Sequence, residues 1–236
     1  MAGFEHARPW PVSADTSAER VTAFLRVVYG WMFAGLGVTA AVAWIVAGSP
    51  TLVRAIVTNR PLFWVLAIAQ LGLVFVLSAR VSRLSPNTAA LLFLGYSALT
   101  GVTMAFVLLL YTGASVAMTF MVCSGMFGAV AVYGTVTRRS LAGVGQFMFM
   151  GLIGLVLASV VGMFWHNDGL QFVISFIGVI VFTGLAAWDA QRLKAMALSL
   201  PDGQIGSYAI VGALSLYLDF VNLFISLLRL IGSRRD

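Results

Sequence analysis

The sequence predicts an all-α integral membrane protein with seven transmembrane helices. Hydrophobic residues make up 61% of the 236 residues and charged residues only 9%, with a mean hydropathy of +0.99. Soluble domains do not have this composition. The apolar runs are continuous and do not alternate with polar residues, which favours helices over a transmembrane β-barrel.

Charge-free runs locate the spans in chain order. No Asp, Glu, Lys or Arg occurs in residues 27–53, 61–79, 84–137, 140–167 and 169–188. Because a span needs about 20 mostly apolar residues, the run 84–137 has room for two, with Tyr111-Thr112-Gly113 as the turn between them. The seven spans are predicted near 24–47, 61–80, 87–110, 114–136, 142–165, 169–191 and 207–231.

The N-terminal segment differs in character from the rest of the chain. Residues 1–20 are polar and are interrupted by Pro9 and Pro11. No apolar core follows a basic start there, so the segment is predicted to be a polar N-terminal arm and not a signal peptide. Residues 21–236 are predicted to form a single transmembrane domain.

The positive charges indicate an orientation. With the N-terminus in the cytoplasm, nine Lys and Arg residues would lie inside and five outside, as the positive-inside rule requires. The arginines are spread over the ends of spans and form no patch for nucleic acid, so the lipid bilayer is the predicted partner of the chain. Abundant Ala, Gly and Val, and Arg in preference to Lys, suggest a bacterial inner (plasma) membrane.

Two acidic residues lie inside predicted spans, Asp189 in the sixth and Asp219 in the seventh. A carboxylate in the hydrocarbon region costs about 2.5–3.5 kcal/mol on insertion scales. An ionisable residue retained at that cost is a functional hypothesis by default. Asp189 and Asp219 are therefore the candidate pH-sensing and ion-pathway residues.

Polar and small side chains recur along one line of the seventh span. Gly212, Ser215, Asp219, Asn222 and Ser226 follow one another at steps of three and four, which places them in one narrow stripe of a helix. The remaining residues are mostly apolar. This pattern predicts a central helix, with Ser215, Asn222 and Ser226 forming a polar stripe that faces a pore or a partner.

Contact between the two carboxyl groups depends on how far the sixth span extends. Asp189 lies near its predicted end, whereas Asp219 lies about 12 residues into the next span, roughly 18 Å along that helix. The carboxyl groups can meet if the sixth span continues past Lys194, or if the seventh tilts or begins late. The apolar segment that follows Lys194 makes such an extension reasonable.

Structural alternatives exist for each of these charged groups. Asp189 could be an interfacial residue paired with Arg192 or Lys194. Asp219 could accept a buried hydrogen bond from a polar neighbour on its own helix (Ser215, Tyr217 or Asn222). Arg80, at the end of the second span, is either a counter-charge for the pair or a cytoplasmic anchor that extends to the membrane surface.

The residues around the aspartates resemble a known family. WDAQRLK (188–194) and SLYLDFVNLFISLLRLIG (215–232) are similar to the signature of the Bax inhibitor family, the transmembrane Bax-inhibitor-motif proteins, and FLRVVYGWMFAGLGVTA (24–40) looks like its first helix. The resemblance covers nearly the whole chain and suggests a bacterial-type member. Trp188 departs from the pattern, since Tyr or Phe commonly precedes that aspartate.

The resemblance implies an architecture and an activity. It implies a seven-helix bundle whose last helix is central and surrounded by the other six. It also implies a calcium leak gated by pH through Asp189 and Asp219. In bacterial relatives an arginine at the cytoplasmic end of the second helix latches to the first of these aspartates, and Arg80 matches that place.

Elementary charge chemistry is compatible with this activity. Two close carboxyl groups titrate as one coupled unit. A shared proton would hold the last two spans together, whereas two anions would repel each other and attract a cation. Calcium takes 6–8 oxygen ligands, so Asp189 and Asp219 could form a transient site with Asn222, serines, carbonyls and water. No cofactor is predicted, since calcium would be the transported ion.

Other functions make different demands on the chain. An intramembrane aspartyl protease carries Gly-x-Gly-Asp, where this chain has Leu216-Tyr217-Leu218-Asp219, and no enzyme is predicted. One alternative is a membrane-embedded modulator of partner proteins, such as a membrane protease or regulators of stress and cell death. Another is a proton-coupled cation exchanger, which would need a proton gradient and not merely a permissive pH.

Overall fold

The structure, a computed structural model, describes residues 14–165, 167–201 and 205–235. Within these residues the chain forms eight α-helices, with a short 3-10 helix at Val81–Arg83 between the third and the fourth. The helices are α1 (Ala14–Ala47), α2 (Pro50–Thr58), α3 (Arg60–Ala79), α4 (Pro86–Leu110), α5 (Gly113–Val136), α6 (Ala142–Phe164), α7 (Asp168–Ser199) and α8 (Ile205–Ile231).

Six of these helices are long enough and apolar enough to cross a membrane, namely α1, α4, α5, α6, α7 and α8. The predicted all-α membrane fold is therefore confirmed. The predicted count of seven spans is not, because the second predicted span corresponds to α3. The apolar part of α3, Trp64–Ala79, is shorter than the other spans; at 1.5 Å per residue it extends about 24 Å, against a hydrocarbon core of about 30 Å.

The N-terminal part of the chain is more helical than predicted. Helix α1 begins at Ala14, so the last part of the predicted polar arm belongs to the first helix. Residues 1–13, which make up the rest of that arm, lie outside the described residues. The helix can include this polar segment because no proline or glycine lies between Ala14 and the apolar part of α1.

Helix α2 was not predicted. Ser49 caps it by accepting a hydrogen bond from the Leu52 amide, and Pro50 occupies the first turn, where its missing N–H costs nothing. No residue of α2 is buried, so the helix lies on the outside of the bundle between α1 and α3. With only nine residues, it is much shorter than the about 20 apolar residues of a span, so the charge-free runs that located the spans did not indicate it.

The predicted turn between the third and fourth spans is confirmed. Thr112 caps α5 by accepting a hydrogen bond from the Ser115 amide, which ends α4 at Leu110. The C-terminal tail then returns onto this turn. The Thr112 amide donates to the Ser233 carbonyl at 3.1 Å and the Arg235 amide to the Leu110 carbonyl at 3.0 Å, which fixes the end of α8 beside the α4–α5 turn.

Helix α8 lies at the centre of the bundle. It packs against α1, α3, α4, α5 and α7, and it is the most enclosed of the six long apolar helices. Several of its side chains, including Tyr217, Leu216 and Leu223, are fully buried. Helix α6 is at the opposite extreme, since it is the least buried of the six. The polar stripe of α8 therefore predicted its central position correctly.

Helices α5 and α7 approach each other closely at Gly134. A β-carbon at this position would overlap the carbonyl oxygen of Ala187 on α7. Small residues at helix contacts allow such approach in membranes, where lipid supplies no hydrophobic drive for association. This contact holds α7 against the bundle just before Asp189.

We expect Gly134→Ala to destabilise the folded protein by about 1–3 kcal/mol, because the added methyl must force α5 and α7 apart. The measurement is thermal unfolding of the purified protein in detergent. Gly125→Ala is the matched control on the same helix, since nothing lies within 4 Å of a β-carbon there, and it should be neutral or slightly stabilising. Equal transitions for the two variants would contradict the close packing at Gly134.

Candidate functional site

Helix α7 is long enough to bring the two aspartates to similar depths. It continues past Lys194 to Ser199, which is one of the arrangements that the sequence predicted would allow the carboxyl groups to meet. Asp189 lies about three turns before the end of α7, and Asp219 lies about four turns after the start of α8. Measured from this shared end of the bundle, their depths are about 15 Å and about 21 Å at 1.5 Å per residue. The predicted offset of roughly 18 Å therefore shrinks to about 6 Å.

Both aspartates are buried. Asp189 is 9% exposed and Asp219 is 6% exposed, and they lie on α7 and α8, which pack against each other. Two ionised carboxylates in this arrangement would repel each other with little water to screen them. Any interaction between these two carboxyl groups would therefore depend on their protonation.

Arg192 is the ion-pair partner of Asp189. Its Nη1 atom lies 4.0 Å from Oδ1 of the aspartate, and its side chain is 56% exposed. The guanidinium also lies over the ring of Trp188, 5.6 Å from the ring centre. An ion pair of this length with a half-exposed arginine contributes little to stability, so it leaves the carboxyl group of Asp189 free to change its partner.

Two other basic residues were predicted to lie near Asp189. Lys194 instead donates a hydrogen bond to the Thr135 carbonyl at 2.7 Å, which caps the end of α5. Arg80 lies at the end of α3 with its side chain exposed. In the described part of the chain the salt bridge of Asp189 is made by Arg192 and not by Arg80.

Asp219 keeps a buried oxygen without a partner. Its Oδ2 atom makes no hydrogen bond within the described part of the chain. The side-chain amide of Asn222 donates to the Leu218 carbonyl at 2.8 Å, and the Tyr217 hydroxyl bonds Thr39. The hydrogen bonds to Asn222 or Tyr217 that could have given Asp219 a purely structural role are thus not formed.

Tyr217 belongs to a separate polar cluster on another face of α8. Its hydroxyl lies 2.6 Å from the hydroxyl of Thr39 on α1, which in turn donates to the Ser97 carbonyl on α4 at 2.9 Å. The rings of Phe93 and Tyr96 pack edge-on against the Tyr217 ring. Because every hydroxyl in this chain of bonds has a partner, the cluster joins three helices and offers no open site.

A cavity of about 550 Å³ lies between α6, α7 and α8. Two members of the predicted stripe, Asn222 and Ser226, line it. Ser215 and Asp219 are not among its lining residues, and Ser215 is half-buried. The Ser226 hydroxyl donates to the Asn222 carbonyl at 2.8 Å and packs against Gly178 of α7. The stripe therefore divides into a part near the carboxyl pair and a part that faces the cavity.

Sequence reasoning missed Arg229 and Ser159, which also line this cavity. Arg229 could have been found, since it follows Ser226 by three residues and continues the spacing of the stripe. Ser159 carries no comparable signal because α6 shows no polar periodicity. Its place in the cavity follows from how α6 packs against α7.

The carboxyl pair has few candidate metal ligands around it. No cluster of three or more His, Cys, Asp or Glu residues that could hold a metal ion occurs within residues 14–165, 167–201 and 205–235. Calcium prefers 6–8 oxygen ligands. A calcium ion at Asp189 and Asp219 would therefore have to complete its shell with amide, hydroxyl, carbonyl and water oxygens, which suits passage and not storage.

One family model and several bacterial proteins match nearly the whole length of this chain. Residues 21–236 match the family model described as "Inhibitor of apoptosis-promoting Bax1". The inner membrane protein YbhL of Escherichia coli is 48% identical over 215 residues, which cover 90% of this chain and 92% of YbhL. A protein of Deinococcus radiodurans is 42% identical over 227 residues, covering 95% and 96% of the two chains. A protein of Borreliella burgdorferi is 41% identical over 215 residues, covering 90% and 93%.

We expect Asp219→Asn to stabilise the folded protein at pH 8. The buried carboxyl group either ionises without enough partners or stays protonated where an exposed carboxyl would ionise, and both states disfavour folding. The isosteric amide removes this cost, which we place at about 1–3 kcal/mol. Thermal unfolding in detergent measures the shift.

Asp168→Asn is the matched control for this variant. Asp168 is an exposed aspartate in the first turn of α7, where loss of its charge should lower stability slightly through the helix dipole. If Asp219→Asn lowered the unfolding temperature more than this control, Asp219 would be a structural residue and not one retained at the expense of stability.

Proposed function

The chain belongs to the Bax inhibitor family, and from this membership and its buried carboxyl pair we propose that it is a pH-sensitive calcium leak channel. The membrane would be a bacterial inner membrane, like that of the relative YbhL. The unpartnered Oδ2 atom of Asp219 in the central helix supports the proposal most directly. A purely structural carboxyl group at this depth would be expected to have its hydrogen bonds satisfied.

The gate is the carboxyl pair. When Asp189 and Asp219 share a proton, the repulsion between them is removed and α7 and α8 stay packed. When both are ionised, they repel each other in surroundings that contain little water. The same two anions attract a divalent cation, so separation of the helices and entry of calcium are favoured together.

The path for the ion follows the polar stripe of α8. From the pair it runs past Asn222 and Ser226 into the cavity between α6, α7 and α8. Ser215 lies on the same line towards the other end of the helix. Calcium would exchange the carboxylate oxygens for amide, hydroxyl and water oxygens along this line, which keeps its binding transient.

In the proposed gate, different arginines pair with Asp189 in the two states. Arg192 is paired with Asp189 in the conformation described here. A latch from Arg80 to Asp189 would belong to a second conformation, in which the end of α3 moves towards α7. Since Arg80 is exposed and no helix buries its side chain, such a movement breaks no packed contact of the arginine.

The seventh span of the channel would be α3. Its 20 residues, Arg60–Ala79, extend about 30 Å at 1.5 Å per residue, which matches the hydrocarbon thickness when Arg80, the residue that follows, reaches the interface. With seven spans and a cytoplasmic N-terminus, the C-terminal tail lies outside. The surplus of Lys and Arg at the opposite end of the bundle favours this orientation.

We expect calcium flux into proteoliposomes of the purified protein to rise between about pH 5 and about pH 8, because deprotonation of the pair opens the gate. Asp189→Asn and Asp219→Asn should each abolish the pH dependence, since either variant removes the repulsion. The assay follows a calcium indicator trapped in the vesicles, without a proton gradient.

Asp168→Asn serves as the control and should keep the pH dependence of the native protein. Flux that falls as the pH rises, or an unchanged pH profile in Asp219→Asn, would contradict the carboxyl gate. Flux that appears only when a proton gradient is imposed would indicate an exchanger. Absence of flux in a folded preparation would favour a modulator of partner proteins.

We expect a reporter fused after Asp236 to be detected outside the cytoplasm, because seven spans place the two termini on opposite sides of the membrane. The measurement compares two fusions at the C-terminus, one active only in the cytoplasm and the other only outside it. A second pair of fusions at the N-terminus is the control and should report the cytoplasm. If both termini were cytoplasmic, α3 would not cross the membrane.

A further inference from the structure

The cavity between α6, α7 and α8 extends from the end of the bundle towards the middle of the membrane. Gln171, one of its lining residues, lies in the first turn of α7, and Phe182, another, lies about four turns from the start of that helix. At 1.5 Å per residue the cavity therefore reaches to about 21 Å from that end. Its volume of about 550 Å³ falls within the range of sites for organic ligands.

The α6 side of the cavity is incompletely enclosed. Val156 and Val160 of α6 line the cavity and are 55% and 48% exposed. Helix α6 is the least enclosed of the long apolar helices, so it forms a thin and incomplete wall. A molecule with an apolar chain could enter from the bilayer without crossing water.

Arg229 is the charged residue that lines this cavity. It lies in the last turn of α8, and within the part of the chain that the structure describes no carboxylate forms a salt bridge with it. Asp168 lies at the same end of the bundle but is exposed and does not line the cavity. The mouth thus presents a guanidinium with no counter-ion, which attracts an anion and opposes a cation.

The lining residues match the two parts of an amphiphile. The polar side chains of Ser159, Gln171, Asn222 and Ser226 come from all three helices. Apolar residues of the same helices lie beside them, namely Leu152, Val156, Ile174 and Ile225. A guanidinium at the mouth, hydrogen-bonding groups and apolar side chains inside the cavity together fit a charged head group followed by a hydrocarbon chain.

We propose that this cavity binds one anionic phospholipid from the surrounding bilayer. Its phosphate pairs with Arg229 and accepts hydrogen bonds from the amide of Gln171, and one acyl chain lies along the apolar side chains inside the cavity. A lipid in this position covers Asn222 and Ser226, so it would also regulate access to the polar stripe. The binding itself does not depend on calcium transport.

Native mass spectrometry of the full-length protein in detergent tests this site. The probes are phosphatidylglycerol and phosphatidylcholine with identical acyl chains, offered at equal concentrations. We expect one phosphatidylglycerol to remain bound, and phosphatidylcholine to be retained less. Arg229→Gln should reduce the retained phosphatidylglycerol on the order of fivefold, as expected for the loss of one basic residue near anionic lipid.

Two further variants make the result specific to the cavity. Arg235→Gln is the matched control at the same end of the bundle, because Arg235 is exposed and does not line the cavity; it should retain lipid like the native protein. Ser159→Trp fills the cavity from α6 without changing any charge and should also lower lipid retention, which tests the acyl-chain position independently of Arg229.

Several results would overturn the proposal. Equal losses in Arg229→Gln and Arg235→Gln would mean that anionic lipid associates only with the surface charge of this end. Unchanged retention in Ser159→Trp would mean that no acyl chain occupies the cavity. Displacement of the lipid by inorganic phosphate would assign Arg229 to free phosphate. Since none of these measurements involves flux, a failure here is distinct from a failure of the proposed channel.

Discussion

The position of α8 at the centre of the bundle determines which of its polar side chains can form hydrogen bonds, and this limits the polar chemistry of the protein more than any other feature. Neighbouring helices surround α8, so its polar side chains must find partners within the bundle because neither water nor lipid head groups reach most of them. Tyr217 meets this demand through Thr39, and Asn222 and Ser226 meet it with carbonyls of their own helix. Asp219 keeps an oxygen that does not. That exception makes it the strongest candidate for a functional residue on α8.

The length of α7 places Asp189 inside the bundle, where it could act together with Asp219 as a gate. Had α7 ended near Lys194, Asp189 would lie at the membrane surface, and its charge would be screened from Asp219. Continuation to Ser199 and the close approach of Gly134 to Ala187 instead hold Asp189 inside the bundle. Among the described residues, the half-exposed Arg192 is the one that forms a salt bridge with it. In the proposed gate, helix packing would hold the two carboxyl groups near each other against their mutual repulsion, and binding of a proton would shift this balance.

Charge changes sign along the polar stripe of α8. Asp219 lies near the middle of the membrane, whereas Arg229 lies at the end, with Asn222 and Ser226 between them. A cation is attracted at one end of this segment and opposed at the other. An anionic lipid at Arg229 would remove that opposition, so the lipid site and the ion pathway could be coupled through the same cavity. Transport would then depend on membrane composition as well as on pH.

Hydropathy and helical periodicity are local properties, so the amino-acid order was enough for the membrane class, the helical fold, the turn at Tyr111–Gly113, the two aspartates and the polar face of α8. The amino-acid order did not predict which basic residue pairs with Asp189, or that Oδ2 of Asp219 has no hydrogen-bond partner among the described residues. It also did not predict that Ser159 of α6 lines the cavity. These depend on which helices meet and at what depth. The depth at which Asp189 lies in the bundle depends on the continuation of α7 to Ser199 and on the close contact of α5 with α7 at Gly134. Packing in the bilayer is set by such contacts between residues that are distant in the chain.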